Sequence, residues 1–138
     1  MTSNPTPAAI VGPESLAPLV VLVDDVRIFR DGRPALLAQT ADAAIDLLES
    51  LQDRRIDELW LDYDLFNATV EPLVTHMVDR ANAGDPVDVA TVIVHSSRTL
   101  ESVQMIRRLR SAGYTMTRSY AADIWARNPA TVCARSRE

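Results

Sequence analysis

The sequence predicts an α/β domain in which a parallel five-stranded sheet carries helices on both faces, making three layers. Three observations predict it. Leu19-Val-Val-Leu-Val23 is a continuous, β-branched apolar run, the pattern of a strand covered on both sides, and Val89–Val94 is a further strand candidate. Such runs alternate along the chain with stretches in which apolar residues recur at helical spacing. The chain is 138 residues long with 47% apolar residues, enough for one core and too short for two ordinary domains.

The elements follow in order. Residues 1–18 hold Pro5, Pro7, Pro13 and Pro18 among small and polar residues and read as a disordered leader. They lack the basic segment followed by a long apolar run that marks a secretory signal. The domain proper spans 19–128. Leu19–Val23 is its first strand and Pro34–Gln39 its second. The roughly nine residues after Asp25 are fewer than the dozen or so a helical crossover takes, so the first helix is expected to be missing or reduced to a turn. Thr40 is placed to cap a helix with the stripe Ala41, Ala44, Ile45, Leu48 and Leu51. Glu58–Asp62 is the third strand. Thr69 is placed to cap the next helix, with Pro72 in its first turn and Gly84 at its end. Val89–Val94 is the fourth strand. A stripe of Leu100, Val103, Ile106 and Leu109 predicts a further helix closed by Gly113. Tyr114–Arg118 then reads as the fifth strand and Ala121–Arg127 as a short last helix, before a polar tail over 129–138.

Composition excludes several reaction classes. All 14 basic Lys/Arg positions are arginine; the chain has no lysine. That removes a phosphate loop ending in Lys-Ser/Thr, a Schiff-base mechanism and any catalytic ammonium. One cysteine, Cys133, excludes a disulfide framework and a cysteine-rich zinc module, and a cytoplasmic setting is expected. No run approaches the roughly 20 apolar residues of a membrane span. The net charge of −5 argues against generic nucleic-acid adhesion, and no sequence-specific DNA binding is expected. The charge is unevenly spread: residues 1–69 carry 5 Arg and 12 acids, residues 70–138 carry 9 Arg and 7 acids.

Ligands of open parallel sheets bind beyond the carboxyl ends of the strands. Here those ends carry Asp24-Asp25, Asp62-Tyr63-Asp64, His95-Ser96-Ser97-Arg98 and Arg118-Ser119. Each group alone has an ordinary reading: a turn or cap for the acids, a core histidine for His95, a surface arginine for Arg118. Together they fall on one sheet edge, where the carboxylates repel one another unless a cation is present. Asp24, Asp25 and Asp62 are suitable oxygen ligands for Mg²⁺. His76, Trp60 and Trp125 read as boundary or packing residues. Arg107, Arg108 and Arg110 suit a helix C-terminus.

VLVDD, LWLDYDL and TVIVHSS resemble the receiver domain of two-component response regulators. That resemblance implies a flavodoxin-like sheet of order 2-1-3-4-5, with Asp24, Asp25 and Asp62 at the Mg²⁺ and phosphoacceptor positions. The sequence departs from signalling receivers at His95, where they place Ser or Thr, at Arg118-Ser119-Tyr120, where they place Lys-Pro-Phe, and in the short first crossover. These departures, with Asp64 and AQTADAAIDLLES, are similar to the cyclic-phosphate-processing receiver family, whose pattern is DDxR…TxxEAIxLL…DELxLDHDL…xVHS. Tyr63 stands where that family often has His. The likeness covers about residues 19–112 and implies a metal-assisted phosphoesterase acting on a cyclic phosphate of a small molecule or an RNA end. In that reading Asp24, Asp25 and Asp62 hold Mg²⁺, Asp62 is the alternative nucleophile, Asp64 and His95 are the acid/base candidates, and Ser96 and Arg118 contact phosphate. The other reading is an atypical receiver, either a phosphoacceptor at Asp62 or a module that only binds protein partners. The missing lysine counts against ordinary phospho-switching.

Overall fold

The computed structural model describes residues 17–66 and 68–129. Residues 1–16 of the Pro-rich leader and the tail from residue 130 on, with Cys133, lie outside the described residues. Five strands, β1 (Val20–Val23), β3 (Leu36–Ala38), β4 (Ile56–Leu61), β7 (Val89–Val94) and β8 (Met116–Arg118), form one sheet in the order β3-β1-β4-β7-β8. Every neighbouring pair is parallel. Counting only these five, the order is 2-1-3-4-5, the flavodoxin-like arrangement expected. Among the described residues no helix is long and apolar enough to cross a membrane.

Three helices cross over between sheet strands: α1 (Ala41–Ser50), α2 (Glu71–Asn82) and α3 (Thr99–Ser111). Thr40 caps α1 as expected, its side chain accepting from the Ala43 N–H at 3.0 Å. Pro72 sits in the first turn of α2, where its missing N–H costs nothing. Gly84, just beyond that helix, has φ +83°, a conformation glycine adopts without a Cβ penalty. All three helices bury their apolar residues on one side of the sheet. Ala44 and Leu48, Leu73 and Met77, and Met105 and Leu109 join Val21, Val23, Leu59, Leu61, Val92 and Val94 in a single cluster.

The third layer differs from the expectation of helices on both faces. Among the described residues the opposite face is covered by a two-stranded antiparallel ribbon of β2 (Arg27–Phe29) and β9 (Trp125–Arg127). Phe29, Trp60 and Trp125 pack there with Val20, Leu22 and Ile93. The first helix is missing, as expected, and the short crossover holds β2 in its place. Asp24 Oδ1 accepts from the backbone N–H groups of Val26 and Arg27, both at 2.9 Å, and so turns the chain straight into a strand. The helix expected over Ala121–Arg127 is also replaced. That stretch is too short to bury a helical stripe, and the pairing of Phe29 with Trp125 recruits its end into the ribbon.

The phase of α3 is a further correction. Its buried residues are Ser102, Met105 and Leu109, while Leu100 is 62% exposed. A strict three-residue stripe drifts around an α-helix, and over nine residues it reaches roughly the opposite side. Leu100 and Leu109 therefore cannot share a face. Leu109→Ala is expected to cost about 3 kcal/mol and Leu100→Ala less than about 0.5 kcal/mol, measured as shifts in the urea midpoint at constant m.

Candidate functional site

The register of the sheet brings the polar strand ends together. Val23, Leu61, Val94 and Arg118 lie side by side across β1, β4, β7 and β8. The next residues, Asp24, Asp62, His95 and Ser119, continue the row. The N–H of Asp62 donates to Val23 O at 3.1 Å, that of His95 to Leu61 O at 2.9 Å and that of Ser119 to Val94 O at 2.9 Å. Asp24 is pinned on the other side, donating to Ala38 O at 3.0 Å. Alternation along the strands sends Leu22 and Asp24, Trp60 and Asp62, and Ile93 and His95 toward the ribbon side. The row is thus a consequence of parallel pairing and strand length, and its backbone has little freedom to separate the charges.

Asp24, Asp25 and Asp62 are all buried, and each offers a carboxylate oxygen within 4.8 Å of the others. Burial raises the Asp62 carboxyl to about 7. The neighbouring Asp24 charge adds to that rise, while Arg27 and a hydrogen bond from the Ser96 side chain oppose it. Burial also raises Asp24, against the lowering effect of its two backbone donors. Asp24 Oδ2 has no hydrogen-bond partner among the described residues. A buried carboxylate oxygen without a donor, facing two further carboxylates, fits a hard divalent cation with oxygen ligands.

His95 stands beside this group. Its Nδ1 is 3.6 Å from Asp24 Oδ2, and neither ring nitrogen has a hydrogen-bond partner among the described residues. Burial, reinforced by the Arg27 charge, holds the imidazole down at about 3. With a neutral ring, the Asp24 contact is one between a carboxylate and an imidazole edge, not an ion pair. Trp125 stacks over the ring with centroids 4.5 Å apart and 30° between planes, and Trp60 packs at 5.8 Å. A cavity of about 320 Å³ opens here, lined among others by Arg27, His95, Ser96, Ser119, Tyr120 and Trp125.

The remaining candidates fall around this centre. Arg118 ends β8, stacks over Tyr120 at 4.9 Å, and leaves its buried Nε without a partner. Ser96 accepts from the Arg98 N–H at 3.1 Å. Asp64 is not part of the carboxylate group. It is exposed in a short hairpin of β5 (Asp64–Leu65) and β6 (Ala68–Thr69), and both its oxygens meet the Arg98 guanidinium, at 3.0 and 3.2 Å. His76 is a boundary residue as expected, its Nε2 2.9 Å from Glu49. Sequence reasoning assigned no role to Arg27, although it occupies the Arg of the DDxR pattern. The Asp24 turn delivers it to the site, where its charge acts on Asp24, Asp62 and His95.

Comparison with known proteins places these features in context. A family model described as the cyclic-phosphate processing receiver domain matches residues 19–111. No curated protein matches the chain. Among solved structures, it is similar to a response regulator protein from Burkholderia pseudomallei, described with a phosphorylated aspartic acid, a calcium ion and citrate. The identity is 11%, the TM-score 0.47, and the match covers 87% of this chain and 72% of the other.

The site predicts a pH signature in the metal-free protein. Because Asp62 is raised from 3.8 to about 7, its contribution to stability is present below the unfolded value and lost as pH rises through about 7. His95, lowered from 6.5 to about 3, contributes in the opposite sense: its stability is present above 6.5 and lost as pH falls toward 3. Asp62→Asn removes the first effect and keeps the second. In EDTA at pH 8 this variant is expected to melt higher than the parent, by of order a few kcal/mol in stability, with the gap closing toward pH 5. Thermal unfolding at both pH values measures this.

Proposed function

Because the chain belongs to the cyclic-phosphate processing receiver domain family, we propose that it is a divalent-metal-dependent phosphoesterase that opens a cyclic phosphate, of the kind found on a nucleotide or an RNA end. The observation that carries this reading is the strand-end row. It sets buried carboxylates beside an imidazole whose two nitrogens are unpartnered among the described residues. Asp24, Asp25 and Asp62 would hold Mg²⁺, which neutralises phosphate oxygens and orients the reacting group.

The chain's own residues supply the rest. His95, held by Trp125 on one side and Asp24 on its edge, presents a neutral imidazole to the cavity. With Nδ1–H directed toward Asp24, Nε2 is left to accept a proton from an attacking hydroxyl or water. An anionic phosphate entering the cavity opposes the Arg27 charge and raises the basicity of the ring. Ser96 steadies Asp62 through its hydroxyl. Arg118, with its unpartnered Nε, offers a fixed cationic donor to phosphate in a chain that has no lysine. Asp64 is the second acid/base candidate, and acting on the same substrate requires release of its Arg98 bonds.

The phosphoacceptor reading is less well supported. An ammonium that would link a phosphoryl group to a moving helix is missing, and His95 stands where signalling receivers place a hydroxyl. Purified protein, Mg²⁺ and a 2′,3′-cyclic nucleotide, followed by ³¹P NMR, test the proposal. The cyclic phosphate resonance is expected to convert to a monoester. EDTA is expected to abolish the reaction, and Asp62→Asn to lower it by about 10²–10⁴-fold. Unchanged substrate, together with a mass shift at Asp62 after phosphoramidate treatment, would establish the receiver alternative instead.

A further inference from the structure

The ribbon that covers the second sheet face contains an electrostatic oddity. Its register places Arg27 directly opposite Arg127, next to the aromatic pair formed by Phe29 and Trp125. Directly opposed residues of an antiparallel pair project on the same face, and like charges there are destabilising. Residues 27 and 29, and 125 and 127, alternate together, so the two arginines share the ribbon face that packs Phe29 and Trp125 onto the sheet. No ion pair or side-chain hydrogen bond joins either guanidinium to an acid among the described residues. Asp31, in the turn after β2, is bound by Arg33 at 2.8 Å. Arg27 lines the cavity beside His95 and Trp125, and its charge already acts on Asp24, Asp62 and His95. Arg127 extends that positive charge outward, being exposed.

We propose that Arg27 and Arg127 form a subsite for a second anionic group of the ligand, next to the carboxylate centre but outside it. The inference rests on the reading of that centre as a phosphate site and narrows its ligand class. The ligand carries a terminal phosphate and, further along, a phosphodiester, as a dinucleotide with a terminal phosphate does and a mononucleotide does not. Two arginines at directly opposed ribbon positions supply donors for the two free oxygens of a phosphodiester, and the bound anion offsets their like charge. Arg118 remains with the terminal phosphate, at the end of its own strand.

The test compares two probes in calorimetric titrations with Mg²⁺ present: a mononucleotide and a dinucleotide, each ending in a 3′-phosphate. The dinucleotide is expected to bind about five- to tenfold tighter, with a steeper dependence on salt concentration. In Arg127→Gln the ratio of the two affinities is expected to fall to about one. Without ligand that variant is expected to melt slightly higher than the parent, because the cross-strand repulsion is gone. Equal affinities in the parent, with mononucleotide binding that is lost in Asp62→Asn, would overturn the second subsite and leave the phosphate site standing. A ratio unchanged by Arg127→Gln would likewise overturn it. Failure of both probes to bind would overturn the phosphate site and the subsite together.

Discussion

Burial of neighbouring carboxylates that the backbone does not let separate governs this molecule. Asp24 and Asp62 leave neighbouring parallel strands at the same level, and each is tied by its N–H to the strand beside it. Asp25 closes the group, and all three are buried. Buried like charges at this spacing need either a proton or a cation. The rise of Asp62 to about 7 is the proton answer in the free protein. A divalent ion is the answer that leaves the carboxylates ionised for function. The surrounding features make sense against that requirement. The Asp24 turn brings in Arg27, and Ser96 steadies Asp62, while burial and the Arg27 charge keep His95 neutral.

The proposal of a phosphoesterase over a phosphorylation switch draws on the second face of the sheet. A switch needs a moving element linked to the phosphoryl group by a mobile cation. Here the basic groups at the site are arginines set on strands: Arg118 at the end of β8 and Arg27 in the ribbon. The ribbon packs Trp125 against both Phe29, at 5.0 Å, and His95, at 4.5 Å. Stacking of this kind fixes the plane of an imidazole. Such a layout favours holding a ligand in one geometry over transmitting a change.

Local signals account for what was legible in the sequence. Continuous β-branched runs gave β1 and β7, Thr40 gave the start of α1, and the acids following Val23 and Leu61 gave the metal-ligand candidates. The parallel register then converted strand-end positions into a site without further information. Contacts between distant residues were not legible. Arg27 and Arg127 pair across nearly the whole domain, and no local pattern announces a three-residue strand that depends on that partner. Ala121–Arg127 therefore reads as helix, and the third layer as helical. The phase of α3 was misread because Leu100 and Val103 are apolar yet point away from the sheet, while Ser102 is fully buried. Asp64 shared a short motif with Asp62, but the hairpin turns it toward Arg98. Arg27 was within reach of sequence reasoning through its match to the DDxR pattern, and only the structure gives it neighbours.

Whether the carboxylate group beside His95 takes a divalent cation is tested most directly with the two histidines as internal reporters. Mn²⁺ is added in small steps to the metal-free protein while the ring proton resonances of His95 and His76 are followed by NMR. His95 lies against Asp24, whereas His76 is held by Glu49 on the helical side. His95 is expected to broaden away at a lower Mn²⁺ ratio than His76, and Mg²⁺ to compete the effect off. Resonances of His95 that stay sharp while Mn²⁺ accumulates, or that broaden only in step with His76, would contradict a divalent-cation site there.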